Sequence, residues 1–335
     1  MGRRGLRLGA WLLGGVLLIL CAATAWMGAR LFLPAELARP PQEFEVRPGA
    51  SLRTVARELA AAGLVPDALS FVTLARLLGR EGSIKAGSYE FSSPVSAWQV
   101  LQRLTRGDVT LAEITIIEGW SFKQLRKALD EHPGLRHDTA GRSEAEILAA
   151  VGATEASAEG LFFPDTYYFS KGSSDVQILK RAYHTMQRHL ERVWASRAPD
   201  LAVSSPYEAL ILASIIEKET GAEADRSMVS GVFHNRLRLG MRLQSDPTVI
   251  YGMGEAFDGN LRKRDLSSDH DYNTYTRPGL PPTPIALPGL ASLEAAVRPA
   301  QTRALYFVSR GDGTSEFSET LADHNRAVNR YQKPR

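Results

Sequence analysis

Two carboxylates stand two residues apart at the end of a greasy stretch. Residues 213–221 read Ala-Ser-Ile-Ile-Glu-Lys-Glu-Thr-Gly, placing Glu217 and Glu219 at its close. Pro206 suits the first turn of a helix and Gly221 suits its end. Between Ala209 and Ile216 only Ser214 is polar, which predicts a helix buried nearly all round. At about 3.6 residues per turn, Glu219 stacks over Ile215, Ile216 and Leu212, while Glu217 points the opposite way, over Ala213 and Leu210. A carboxyl held against apolar side chains resists ionisation, which keeps a proton available near neutral pH. That chemistry makes Glu219 the candidate general acid. The plainer alternative is a pair of solvated glutamates flanking Lys218 at a helix end, and this segment by itself leaves both open.

The elements around that helix fall into two groups. Phe44–Leu59 reads as a strand, a Gly turn and an amphipathic helix with Leu52, Val55, Ala56 and Leu59 on one face. Seventy residues on, Ile114–Leu129 repeats the pattern: Gly49 matches Gly119, Ser51 matches Ser121, Val55 matches Leu125 and Leu59 matches Leu129. Each serine is placed as an N-cap just after its turn glycine. Helices around 66–78 and 95–106 and a strand at 87–91 complete the first group. The second begins near Ala140. It holds an aromatic cluster at Gly160–Phe169, readable as core strand or as a sugar-stacking platform. Long helices follow at 175–197 and 225–239, and a hairpin at 304–309 and 315–318 leads to a helix from Leu321. Residues 251–289 are dense in Pro, Gly, Asn and Tyr, which predicts a stiff cleft wall rather than a flexible tail.

The N-terminus sets the compartment. From Gly9 to Ala29 no residue is charged, with Arg3, Arg4 and Arg7 ahead of the run and Arg30 closing it. Such a stretch spans the roughly 30 Å hydrocarbon core as a helix. The leading arginines hold that end in the cytoplasm, so the remainder is exported. A cleaved signal peptide, with Ala-Thr-Ala at 23–25, is the rival. The lone cysteine, Cys21, lies inside this run, so the exported part has no disulfide and needs a hydrophobic core of its own. Of 40 Lys+Arg, four belong to the anchor, leaving 36 against 37 acids. That balance gives no positive field for nucleic acid. The seven histidines show no metal-ligand spacing, and the reading calls for no metal and no cofactor.

Several motifs then stand in one order: Glu118-Gly119, Gly160-x-Phe-x-Pro-Asp-Thr-Tyr167, the Glu-Lys-Glu helix, Val232-Phe-x-Asn-Arg-Leu237, Met241-x-Leu-Gln-Ser-Asp-Pro-Thr-Val-Ile-Tyr-Gly252, Tyr272-Asn-Thr-Tyr275 and Gly279-Leu-Pro-Pro282. Together they resemble the YceG-like family, the MltG type of membrane-anchored endolytic murein transglycosylase. The resemblance covers essentially the whole chain. It implies a lyase that cuts nascent peptidoglycan strands internally at MurNAc–GlcNAc bonds, leaving 1,6-anhydro-MurNAc ends and ending strand growth. It also assigns catalysis to the second glutamate of the motif, Glu219. One carboxyl suffices for such a reaction, because the muramoyl 6-hydroxyl takes the place of water. The candidates for positioning the glycan are Asn235, Gln244, Asp246, Asn273 and Tyr275, whose groups suit sugar hydroxyls. Asp246 is equally readable as a helix cap, and Arg236 as its ion-pair partner or that of Asp225. The first repeat copy also resembles the start of a LysM module, a glycan-binding fold.

The expected fold class is therefore α+β. A cytoplasmic tail (1–8) precedes a transmembrane anchor (9–33) and a linker (34–43). A LysM-like accessory module (44–139) and a larger mixed α+β catalytic domain (140–335) follow. The expected setting is the bacterial inner membrane, single-pass, with the catalytic domain periplasmic and peptidoglycan synthases as candidate partners. Two other readings stay open: a muramidase using a second carboxylate such as Asp246 or Asp225, and a non-enzymatic glycan-binding scaffold.

Overall fold

A computed structural model describes residues 3–37 and 40–332. The chain divides into two compact units, residues 1–112 with 168–172, and residues 113–167 with 173–335. The division precedes the second copy of the repeat, whereas the sequence pattern draws it at 139/140.

The first unit opens with helix α1 (Arg3–Phe32). Its window Gly15–Phe32, of mean hydropathy 1.7, is long and apolar enough to cross a membrane, and side chains such as Leu18 and Trp26 stand exposed along it. Next come strand β1 (Gln42–Val46), helices α2 (Leu52–Ala61) and α3 (Ala68–Leu77), strand β2 (Gly87–Phe91) and helix α4 (Ala97–Arg106). β1 and β2 pair antiparallel, with Phe44 opposite Tyr89. Val55, Leu59, Phe71, Tyr89, Phe91, Leu101 and Leu104 form the core. The turn glycine and cap serine expected for the repeat are both present. Gly49 and Gly119 take left-handed φ values of 78° and 77°, and Ser51 and Ser121 accept the N–H groups of Thr54 and Gln124.

Strand β3 (Leu111–Thr115) leads into the second unit. There follow α5 (Phe122–Asp130), β4 (Leu135–Arg136), α6 (Glu144–Val151), β5 (Thr166–Ser170), β6 (Ser173–Ser174) and α7 (Asp175–Ala195). The stripe expected on α7, Leu179, Tyr183, Met186, Leu190 and Val193, is buried. The aromatic cluster packs mostly inward, with Leu161, Phe162, Phe163 and Tyr167 in the core. Helix α8 (Pro206–Glu219) is the centre of the unit: every residue from Ala209 to Ile216 is buried, as its composition predicts. It packs on α7, α9 (Glu223–Arg238), α10 (Asp246–Met253) and α12 (Leu290–Val297). Its start is fixed by Ser205, whose hydroxyl accepts the N–H of Glu208, a cap worth about 1 kcal/mol. Its end differs from expectation. The helix stops at Glu219, Thr220 is extended at φ −146°, and Gly221 plays no left-handed cap role.

The Pro-rich stretch begins in the last turn of α10, passes through a 3-10 turn (Gly254–Ala256) and a short helix, α11 (Lys263–Ser267), and is otherwise irregular up to α12. Pro284 lies so close over Gly160, itself at φ +79°, that a Cβ there would sit 2.4 Å from the ring. Only glycine permits that approach. The hairpin β7 (Tyr306–Ser309) and β8 (Ser315–Ser318) and helix α13 (Leu321–Tyr331) end the unit.

Candidate active site

Glu219 is the last residue of α8, so its side chain leaves the packed helix where the chain turns away. It is half-buried, and Ser245 Oγ donates to its Oε1 at 2.5 Å. Burial pushes the carboxyl up to about 7, and the nearby Asp246 charge adds to the rise. The Ser245 hydrogen bond and the Arg236 guanidinium oppose it. Near neutral pH this group is therefore shared between acid and base forms, which suits a residue that must give a proton and later take one back.

Ser245 is held firmly. Only 1% exposed, it occupies the N-cap position of α10 but makes no side-chain cap bond. Its N–H donates to Thr274 Oγ1 at 3.0 Å, and its carbonyl accepts Thr248 Oγ1 at 2.7 Å. The Thr248 and Thr274 hydroxyls meet at 2.9 Å. Sequence reasoning missed Ser245, because nothing in a serine beside Asp-Pro signals a carboxyl partner 26 residues away. The cap role assigned to Asp246 falls to Ser245 by position, and Asp246 is the first helical residue.

Three of the glycan candidates gather beside this pair. Asp246 is exposed and accepts the Tyr275 hydroxyl at 2.6 Å. Burial and the Asp246 charge push the Tyr275 phenol well above its ordinary range, so it stays a donor. Gln244 is exposed and takes φ +50°, the one non-glycine left-handed residue among those described. Backbone of that kind is costly and persists where the surroundings enforce it, here through its N–H to Thr274 O at 3.1 Å.

The two asparagines serve the scaffold. Asn273 is fully buried: its Nδ2 donates to the carbonyls of Leu266 and Ser268, and its Oδ1 accepts the N–H of Tyr275 at 2.8 Å. Asn235 Nδ2 donates to Thr302 O and Ala304 O at 2.9 and 3.0 Å. Arg236 makes neither ion pair expected of it. Its Nε donates to Leu305 O and its Nη1 to Leu243 O, at 2.7 and 2.6 Å, and its guanidinium lies over the Tyr306 ring. It binds the hairpin to the segment ahead of Ser245 and leaves its charge to act on Glu219.

Glu217 faces away, as the helical wheel requires. Its Oε2 accepts the N–H of Gly289 at 3.0 Å, tying α8 to the start of α12. Glu118 fills the space over Gly289, where a Cβ would collide with its carboxyl. Burial and the Glu217 charge push Glu118 upward. Asp225, the other acid named as a possible second carboxylate, is buried in the first turn of α9, and the nearby acids Asp269 and Asp271 are paired with Arg277. Asp246 is the acid whose charge reaches Glu219. Among the described residues no group of three or more His, Cys, Asp or Glu could hold a metal ion.

Comparison with known proteins agrees with this arrangement of motifs. The sequence model of the YceG-like family matches residues 44–330. Over 300 residues the chain is 31% identical to an endolytic murein transglycosylase of Bacillus subtilis, covering 84% of this chain and 82% of that protein. A Streptococcus pneumoniae protein of the same name is 26% identical over 314 residues, covering 84% of this chain and 56% of that one. A crystal structure of a YceG-like protein from Listeria monocytogenes superposes with a TM-score of 0.53 at 29% identity, over 85% of this chain and 98% of that chain.

Proposed function

The chain belongs to the YceG-like family, and on that premise we propose that it is an endolytic murein transglycosylase with Glu219 as its acid and base. The observation that carries this reading is a half-buried carboxyl pushed up to about 7 and gripped by a single hydroxyl donor, Ser245. In its acid form Glu219 donates a proton to the glycosidic oxygen as the C1–O bond of the muramoyl residue breaks. The muramoyl 6-hydroxyl forms the new bond to C1, and its proton passes to the Glu219 carboxylate. Atoms balance without water: one proton leaves Glu219 and one returns. The attacking group is already part of the substrate, which removes the entropic cost of a second reactant.

Gln244, Asp246 and Tyr275 are the residues we assign to the sugar hydroxyls, since all three border the Glu219–Ser245 pair. Asn235 and Asn273 act by holding the backbone that presents them. The apolar window of α1 supports a single-pass anchor with the catalytic unit on the exported side. The order β1-α2-α3-β2, with the two strands antiparallel, supports a LysM-like role for the first unit in holding glycan.

A muramidase is the second reading, favoured by the closeness of Asp246 to Glu219. Hydrolases of this kind use one carboxylate as acid and another to attack the sugar or activate water. Digesting purified glycan strands in 18O-labelled water separates the two by mass spectrometry. Anhydro ends without label are expected, and labelled reducing ends would establish the muramidase.

A further inference from the structure

One cavity in the second unit does not contain Glu219. It has a volume of about 650 Å³ and is lined by α5, the start of α6, the segment around Glu159 and the last turns of α10. That size lies within the range of ordinary ligand sites. Its wall is fixed by Glu159, a carboxylate only 4% exposed that accepts the N–H of Phe122 at 3.0 Å and the hydroxyl of Tyr251 at 3.2 Å. The catalytic scheme has no use for this buried acid.

The charges around the cavity are of both signs and unequally satisfied. Arg126 has a buried Nε with no hydrogen-bond partner, and its Nη2 reaches only Thr139 O, at 3.4 Å. Among the described residues no carboxylate pairs with it. Lys127, one residue on, has only a loose contact to Glu131, at 3.8 Å on an exposed helix face. Glu144 spends Oε1 on Ser157 and Ala158, which leaves Oε2 for a ligand. A guanidinium without a carboxylate partner, lining one cavity with the carboxylates of Glu144 and Glu159 and the rings of Phe122 and Tyr251, matches a short peptide bearing carboxylates and a free amine.

The position of the cavity says where such a peptide would come from. Helix α10 begins at the Ser245 that grips Glu219 and reaches the cavity with Tyr251. Tyr251 is five steps along α10 from Asp246, a rise of about 7.5 Å. In murein the peptide branch hangs from the muramoyl ring, the same ring whose C1 reacts, so a branch leaving the reacting sugar needs a seat near the catalytic carboxyl. We propose that this cavity receives the peptide branch of the strand, with Arg126 and Lys127 on a branch carboxylate and Glu144 with Glu159 facing its amine. This rests on the transglycosylase reading of Glu219.

The test has a cleavage arm and a binding arm. Wild-type protein should cleave intact strands with a KM about tenfold below that for strands stripped of peptide by an amidase. Arg126→Gln should erase that preference, raising KM on intact strands about tenfold with kcat and the stripped-strand KM unchanged, and Arg126→Lys should recover part of it. Equal effects on both substrates, or none, would overturn the proposal. In the binding arm, the tripeptide L-alanyl-γ-D-glutamyl-meso-diaminopimelate is titrated against full-length Glu219→Gln by calorimetry. Saturable binding weakened about tenfold by adding Arg126→Gln is expected, and absence of binding overturns the proposal. Should neither strand preparation be cleaved, the transglycosylase reading fails and the binding arm alone decides the seat for the peptide.

Discussion

The Ser245 hydroxyl donates to Glu219 Oε1 at 2.5 Å from a position that would ordinarily cap its own helix. Its oxygen accepts no N–H from α10, and its O–H is directed to the terminal carboxyl of α8. A hydroxyl donating to a carboxylate favours its charged form, so Ser245 restrains a rise that burial alone would drive further. The acid is thereby held near the pH at which giving and taking a proton are both feasible.

Replacing Ser245 by alanine should move the alkaline limb of the pH–rate profile to higher pH, since the Glu219 carboxyl then loses a proton less readily. The rate at the plateau should fall roughly tenfold, the value of one hydrogen bond to a charged group. A profile unmoved along the pH axis would mean that Ser245 acts only on packing.

Glu219→Gln should fold and lose cleavage by about 10²–10⁴-fold, because the amide has no proton to give. Glu217→Gln should keep most activity, its amide oxygen still able to accept the N–H of Gly289. Glu217→Ala should instead cost about 1–2 kcal/mol of stability by leaving that N–H unpaired. Strand digestion with thermal melts of the three variants checks all of this, and exchanged phenotypes for the two glutamines would reverse the roles.

Stability should carry the signature of the same carboxyl. Glu219 sits at about 7 when folded, against an ordinary 4.5. The folded state thus binds the proton more tightly, and stability falls as pH rises through that window. Below pH 4.5 the penalty is absent, and above 7 it is complete, at most about 3 kcal/mol. Glu219→Gln should therefore melt with the wild type at pH 4 and above it at pH 8. Glu159, also pushed up to about 7 by burial, keeps part of the slope in the variant.

Much of this site was legible from residue types. The run Ala209–Ile216, apolar but for Ser214, announces a buried helix, and helical phase alone separates Glu219 from Glu217. The cap serines and left-handed glycines of the repeat follow from local rules that tertiary packing does not override. What could not be read is where polar groups spend their hydrogen bonds. Asn235, Asn273 and Arg236 look like sugar or ion-pair ligands by type, yet each is consumed by carbonyls at sequence separations of 5 to 69 residues. Ser245 errs in the opposite sense, a cap by position and a carboxyl donor in fact. The end of α8 was also misplaced, because Thr220 turns extended before Gly221 is needed.

Topology offers a separate check. A phosphatase active only outside the cytoplasm, fused after Arg335, should be active, and the mature chain should retain its N-terminus through the apolar window of α1. A soluble form starting near Trp26 would instead mark a cleaved leader.

The contact between Glu217 and Gly289 has a consequence for how such proteins diverge. Glu217, which faces away from Ser245, ties the central helix to its neighbour, so selection for a folded protein should preserve it whether or not bonds are cut. Glu219 is under the opposite pressure, since its burial costs stability at neutral pH. A lineage that no longer needed cleavage would drift at Glu219 first, keep Glu217, and become a sturdier protein that still grips the strand. In a descendant, the first glutamate of the Glu-Lys-Glu motif without the second would be the mark of an enzyme retired to binding.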